Sequence, residues 1–118
     1  MTTNPSQNLV QLEDIIAETN LVAIIRQKPS EITKLHKLEF HRSFDDLDYL
    51  VFATLSLPSG NQVALVRHEN SPAPGTEIYV KYNQSNTAAV IKEVLSEMNL
   101  SLNDLTWIHP EYERQLNQ

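Results

Sequence analysis

Residues 49–68 read YLVFATLSLPSGNQVALVRH, and this stretch decides the fold. Residues 49–57 are dense in β-branched and aromatic strand formers, and residues 62–68 return with a similar composition. Between them, Pro58-Ser59-Gly60-Asn61 is a turn sequence. Two such runs joined by a short turn predict a β-hairpin with antiparallel pairing.

Further strands are predicted on both sides of the hairpin. Short runs typical of strands lie at residues 21–25, 77–82 and 105–108. Residues 31–43 combine helical spacing with alternation, which fits a turn of helix followed by a strand. Residues 71–75 carry two prolines and a glycine and are expected to form a loop.

Two longer segments have the apolar spacing of helices, at residues 6–18 and 87–98. Asn86 is placed to cap the second helix, and Asn99 is placed to end it in a left-handed conformation. We therefore expect an α+β fold, with an antiparallel or mixed sheet of about five strands and two helices packed on one face.

The chain length of 118 residues and the lack of an internal linker predict one globular domain over residues 1–118. Loosely ordered ends are expected at residues 1–5 and 111–118. Cysteine is absent, so disulfides, thiol catalysis and thiolate zinc sites are excluded. With no apolar run resembling a secretion signal or a membrane span, the protein is expected to be cytoplasmic and without membrane partners.

The net charge of −6 belongs wholly to residues 45–118, because residues 1–44 hold equal numbers of acids and bases. A negative field repels phosphate backbones, so direct DNA binding would have to use residues 26–42. Aromatic residues do not alternate with the bases of that segment as they do in single-strand binders. A charged exposed surface is therefore the favoured interpretation, and weak DNA binding is an alternative.

Carboxylates cluster at Asp45, Asp46 and Asp48, but they lack the alternating spacing and central glycine of a calcium loop. A solvated charged segment is the favoured interpretation. No cofactor and no catalytic residue are predicted, since no catalytic, nucleotide-binding or metal-binding motif occurs in the sequence.

A catalytic or metal site could also form from residues that are distant in the sequence, without a local motif. His68 and Glu69 end the return strand of the hairpin, and His109 follows the last predicted strand. Were these strand ends neighbours, the three side chains would form a metal or acid–base site, and the protein would be a small metal-dependent hydrolase. With ligand bonds near 2 Å, this alternative requires the two imidazoles to lie within about 12 Å of each other.

Aromatic residues supply candidates for a protein-binding surface. Tyrosine and tryptophan on a partly open sheet are common anchors for protein partners, although such residues more often belong to the core. The residues selected as partner-binding candidates are Tyr79, His68, Trp107, His109, Tyr112 and Arg114.

Residues 45–114 resemble the XisI-like family, the controlling factors for excision of the fdxN element in heterocyst-forming cyanobacteria. The order of matching features is Asp48-Tyr49, His68, Gly75, Ile78-Tyr79-Val80, the helix around residues 90–98, Asp104-Leu105, and His109-Pro110 with Arg114. The sequence departs from the family at Tyr79, where tryptophan is usual, and at Asn99, where glycine is usual. The resemblance implies an accessory protein that works beside a partner encoded with it, without an enzymatic activity of its own.

The leading hypothesis is therefore a non-enzymatic accessory or regulatory protein whose sheet binds another protein. The partner would be a DNA-processing protein or a second copy of this chain, so any link to nucleic acid would be indirect. The hydrolase and the weak DNA binder are the two alternatives.

Overall fold

The computed structural model describes residues 19–44, 49–72, 74–81 and 86–116. The strands are β1 (Thr19–Ile25), β2 (His41–Phe44), β3 (Tyr49–Ser56), β4 (Gln62–His68), β5 (Thr76–Lys81) and β6 (Leu105–Ile108). The helices are α1 (Pro29–His36), α2 (Thr87–Glu97) and α3 (Pro110–Leu116), and a 3₁₀ turn (Leu102–Asp104) precedes β6. The predicted helix over 6–18, the loose end at 1–5 and the carboxylates Asp45, Asp46 and Asp48 lie outside the described residues.

In the described part of the chain, six strands form one sheet in the order β2-β3-β4-β5-β1-β6, and every neighbouring pair is antiparallel. The α+β prediction is confirmed, with six strands where about five were expected. The predicted hairpin forms β3 and β4, with Leu55 opposite Val63 and Leu50 opposite His68. In its turn, the Leu57 amide donates to the Asn61 carbonyl at 2.8 Å, and Gly60 has a φ of 95°.

The helices cover one face of the sheet, here called the first face. Directly paired residues of antiparallel strands point to the same face, so Leu65 of β4 and Ile78 of β5 lie together there. Both belong to the main hydrophobic core, which also contains Ile32 of α1 and Ile91 of α2. Of the two helices predicted to pack on one face, the one at residues 87–98 is confirmed as α2, whereas α1 was predicted only as a turn of helix and the predicted helix at residues 6–18 is outside the described residues.

A smaller hydrophobic cluster lies on the opposite, second face. Leu50 and Phe52 of β3 pack there with Ala64 and Val66 of β4, and Tyr79 of β5 is packed against them. Val66 has no exposed surface and Phe52 retains only 5%. The hairpin is therefore apolar on both faces, which explains the near-continuous hydrophobic character of its strands.

Helix α3 occupies residues that the sequence analysis expected to form part of a loose C-terminal tail. Leu116, at the end of α3, is 1% exposed and belongs to the main core, and α3 packs against α2. Packing of Leu116, together with partly buried Tyr112, against the main core thus stabilises a helix whose other residues are exposed. Within the described ranges no helix has the length and apolar character needed to cross a membrane.

Candidate functional site

Strand β6 forms one edge of the sheet and pairs with β1. The buried carboxylate of Asp104 anchors the start of β6. The Oδ1 atom of Asp104 accepts hydrogen bonds from Arg26 Nε at 2.8 Å and from Gln27 Nε2 at 2.9 Å. Its Oδ2 atom accepts one from the Ser101 amide at 2.9 Å, which closes the turn before the strand. The segment after β1 and the turn before β6 are thereby joined through one side chain.

These hydrogen bonds lower the pKa of Asp104 from 3.8 to about 2. The largest cause is the hydrogen bond from the Ser101 amide, followed by the one from Gln27, and Arg26 adds a hydrogen bond and its positive charge. Partial desolvation opposes the shift. Asp104 is therefore ionised at neutral pH, as a carboxylate that accepts several hydrogen bonds should be.

Three rings meet where β6 ends and α3 begins, and we call Trp107, His109 and Tyr112 the aromatic corner. The Trp107 and His109 ring centroids are 6.0 Å apart in an edge-to-face arrangement, and those of His109 and Tyr112 are 5.4 Å apart. Trp107 is 38% exposed. Exposed tryptophan in an edge-to-face pair is a large apolar surface held in one orientation.

The backbone around His109 fixes this arrangement. The His109 amide donates to the Val22 carbonyl at 2.9 Å, which continues the pairing with β1 past the end of β6. The His109 carbonyl accepts from the Tyr112 amide at 2.9 Å, and its Nδ1 atom accepts from the Glu111 amide at 3.1 Å. An Nδ1 that accepts this bond leaves Nε2 to carry the proton of the neutral ring.

Charged side chains share α3 with Tyr112. Glu111, Glu113 and Arg114 are exposed on α3, in the part of the chain that carries the whole net charge of −6. Arg114, a predicted partner-binding residue, therefore shares its short helix with Tyr112. Two of these three exposed charges on α3 are negative.

The structure divides the predicted partner-binding residues into two groups. Trp107, His109 and Tyr112 contact one another and Arg114 lies on the same helix as Tyr112, whereas His68 and Tyr79 lie on β4 and β5. Strand β1 separates those two strands from β6.

His68 and Tyr79 instead have neighbours of their own on the second face. The Nδ1 atom of His68 lies 2.9 Å from Oε1 of Glu77. Tyr79 packs beside the smaller hydrophobic cluster, opposite Ala64. These two residues therefore do not extend the aromatic corner.

The residues proposed for a hydrolase site do not converge. His68 is on β4 and His109 follows β6, with β5 and β1 between them. Three strand spacings separate them by at least about 14 Å across the sheet, beyond the reach of one metal ion. Strands β4 and β6 also run in opposite directions, so their C-terminal ends lie toward opposite ends of the sheet. Glu69 is paired with Arg42, at 3.2 Å between Oε1 and Nε. Among the described residues, no group of three or more His, Asp or Glu side chains could hold a metal ion.

The basic segment 26–42 does not present its charges as one surface. Arg26 pairs with Asp104 and Arg42 pairs with Glu69, so two of its cations face carboxylates. Lys34 and Lys37 are exposed at the end of α1. This distribution resembles an ordinary charged surface more than a phosphate-binding groove.

A second exposed cluster, not predicted from the sequence, lies at the opposite edge of the sheet. Phe44 of β2 and Tyr49 of β3 are 55% and 47% exposed, with ring centroids 4.9 Å apart. The guanidinium carbon of Arg42 lies 4.3 Å from the centroid of the Tyr49 ring. We call Arg42, Phe44 and Tyr49 the edge cluster. In the sequence, Phe44 and Tyr49 stand directly before and after the acidic residues 45–48. Two aromatic residues on either side of a short polar segment could have indicated that they pair across adjacent strands.

The molecule thus carries exposed aromatic residues at both edges of its sheet, beside β6 and beside β2. The aromatic corner coincides with the His-Pro segment on which the resemblance to the XisI-like family depends. Comparison with protein-family models, with curated proteins and with solved structures finds no match to this chain.

Proposed function

We propose that this protein is a non-enzymatic accessory protein that binds another protein through its aromatic corner and the adjacent edge of β6. The observation that carries the proposal is the exposure of Trp107 at a sheet edge, in an edge-to-face pair with His109. Tryptophan and tyrosine are enriched among the residues that dominate binding energy in protein interfaces.

The edge of β6 offers backbone groups as well as side chains. In the described part of the chain, β6 pairs with β1 alone. An extended peptide can add to such an edge, so that main-chain hydrogen bonds supply affinity and the flanking side chains supply specificity. Trp107 then acts as the apolar anchor beside the added strand.

The aromatic corner is held in place before binding. Asp104 fastens the start of β6, and the hydrogen bond from His109 to Val22 fastens its end. Rings that are already ordered lose less conformational entropy when a partner binds. The corner thus combines an exposed ring, Trp107, with a second ring, Tyr112, that is anchored against the main core.

The charges around the corner indicate what the partner segment contains. Glu111 and Glu113, exposed on the helix that carries Tyr112, make that helix surface negative, and Trp107 offers a ring face that suits both apolar and cationic side chains. The partner segment is therefore extended and apolar, with lysine or arginine at its margins.

The family resemblance supplies the biological setting of the proposal. XisI-like proteins are accessory factors, and the residues matching the family at His109-Pro110 and Arg114 lie in and beside the aromatic corner. The partner we propose is a protein encoded beside this one that takes part in DNA processing. Any contact with DNA is made by that partner.

Affinity capture from the native host tests the proposal. The wild-type chain, Trp107→Ala and the control Phe44→Ala serve as baits, since both substitutions remove one exposed aromatic ring from a sheet edge. We expect one basic protein to be captured by the wild type and by Phe44→Ala, and to be reduced at least tenfold with Trp107→Ala, since interface tryptophans commonly contribute about 2 kcal/mol or more. Equal capture by all three baits would refute the role of the corner.

A further inference from the structure

The edge cluster lies at the end of the sheet farthest from β6 and is a separate surface. Strand β2 pairs with β3, and no other strand in the described ranges pairs with it. The strand carries no proline, and its arginine, Arg42, is already paired with Glu69, so neither blocks pairing at this edge. Its Phe44 is 55% exposed.

Arg42 contacts a carboxylate and an aromatic ring at this edge of the sheet. Its Nε atom lies 3.2 Å from Glu69 Oε1, and its guanidinium carbon lies 4.3 Å from the Tyr49 ring centroid. An arginine ordered in this way has less rotamer entropy to lose in an interface. The cluster therefore presents a cation and two aromatic rings in a defined arrangement.

We propose that β2 pairs with β2 of a second copy of this chain, about a two-fold axis perpendicular to the sheet. Such an axis produces an antiparallel pair and keeps the same face of both copies on the same side. It must also place one residue directly opposite its own counterpart. Within β2 the register is therefore centred on Arg42, Ser43 or Phe44, or on His41 at the end of the strand.

The side chains select one of these registers. Centring on Arg42 sets two arginines against each other, which like-charge repulsion opposes. Centring on His41 or on Phe44 leaves a terminal residue of the strand at the axis, so little of β2 is paired. Centring on Ser43 sets small Ser43 against its counterpart and Arg42 against Phe44 of the second copy.

The register centred on Ser43 makes its cation–aromatic contact twice, because the axis repeats it. Arg42 and Phe44 both point to the first face, where Arg42 already lies over Tyr49. The strand is thus complementary to itself, which favours a second copy over an unrelated partner. The dimer leaves both aromatic corners at the outer ends of the joined sheets, and this inference does not depend on the proposed function.

Cysteine cross-linking measures the register, because the native chain contains no cysteine. Directly opposed residues of antiparallel strands lie within the Cα separation that a disulfide spans. We expect Ser43→Cys to form a covalent dimer under mild oxidation at least ten times faster than Thr106→Cys, although Ser43 is 7% exposed and Thr106 on the other edge is exposed. Equal or slower cross-linking of Ser43→Cys would overturn the register.

Sedimentation velocity of the full chain measures the dimer itself. We expect a species of twice the 13.5 kDa chain mass that grows with concentration. Phe44→Lys should weaken dimerisation at least about tenfold, because both symmetry-related contacts are lost and two like-charged pairs face each other. The control Trp107→Lys should leave it unchanged, and circular dichroism verifies that both variants are folded. A monomer at every concentration, or a dimer lost with Trp107→Lys instead, would overturn the proposal.

Discussion

Replacing Gly75 with alanine tests how the loop before β5 supports the edge on which the aromatic corner lies. Gly75 has a φ of 108°, and a Cβ atom built there would stand 2.0 Å from the Ile25 carbonyl oxygen, with ordinary contact beginning near 3.4 Å. That oxygen is backbone and cannot rotate away. Ile25 is paired with Thr76 on one side and with Leu105 on the other, so a displacement there reaches the start of β6.

The cost of Gly75→Ala has two parts. A residue with a side chain held in this backbone conformation loses about 1–3 kcal/mol, and forcing an extra methyl group into a filled position costs about 1–3 kcal/mol more. Gly60→Ala is the matched control, because Gly60 has a φ of 95° and no neighbouring atom within 4 Å of the added Cβ. Gly60→Ala therefore carries only the first cost.

Urea denaturation of the two variants and the wild type measures the difference. We expect Gly75→Ala to lower the free energy of unfolding by about 2–6 kcal/mol and Gly60→Ala by about 1–3 kcal/mol. A loss of this size is a large fraction of the total stability of an ordinary domain. If the two variants agreed within about 0.5 kcal/mol, the close packing of Gly75 against β1 would be refuted.

Two further substitutions test the side chains that anchor the turn before β6 and the turn of the β3–β4 hairpin. The pKa of Asp104 is about 2 in the folded protein, against an ordinary value of 3.8, so the folded state binds fewer protons than the unfolded state. The stabilisation that ionised Asp104 gives to the fold is therefore complete above about pH 4 and is lost as the pH falls toward 2. The urea midpoint of the wild type should decline through that range more steeply than that of Asp104→Asn, and parallel profiles would contradict this role. Glu93 accepts hydrogen bonds from the amide and hydroxyl of Ser59 at 2.9 and 2.5 Å, so Glu93→Gln should cost about 0.5–1.5 kcal/mol in thermal unfolding. The control Glu97→Gln, on the exposed end of α2, should lower the stability less. Equal losses of stability would argue against the role of Glu93 in anchoring the hairpin turn.

Features that depend on neighbouring residues were predictable from the sequence. The hairpin followed from two runs of strand formers around a turn. Asn86 caps α2 by accepting a hydrogen bond from the Ala89 amide at 3.1 Å, and Asn99 ends the helix segment with a φ of 56°. Both predictions are confirmed, because capping chemistry acts within a few residues.

Features that depend on distant contacts were not predictable. The position of β1 between β5 and β6 is a non-local pairing, and together with the opposite directions of β4 and β6 it keeps His68 and His109 far apart. Helix α3 likewise owes its place to Leu116, whose burial arises from tertiary packing rather than from the polar sequence around it. A pattern of residue types carries no information about which strand edges meet.

The candidate site follows the same division. Trp107, His109 and Tyr112 lie within six residues of one another in the sequence and meet through local backbone geometry. The edge cluster joins Arg42 and Phe44 of β2 to Tyr49 of β3 through the register between those strands, so its members are not recognisable as a unit before that pairing is known.

The chain contains one tryptophan, and Trp107 is therefore a native reporter of the aromatic corner. Incorporating 5-fluorotryptophan places a single fluorine label at that position, and ¹⁹F NMR then follows its environment as the partner captured from the host is added. If the corner binds the partner, the one resonance shifts or broadens in proportion to complex formed. A complex that forms while this resonance stays unchanged would contradict the account.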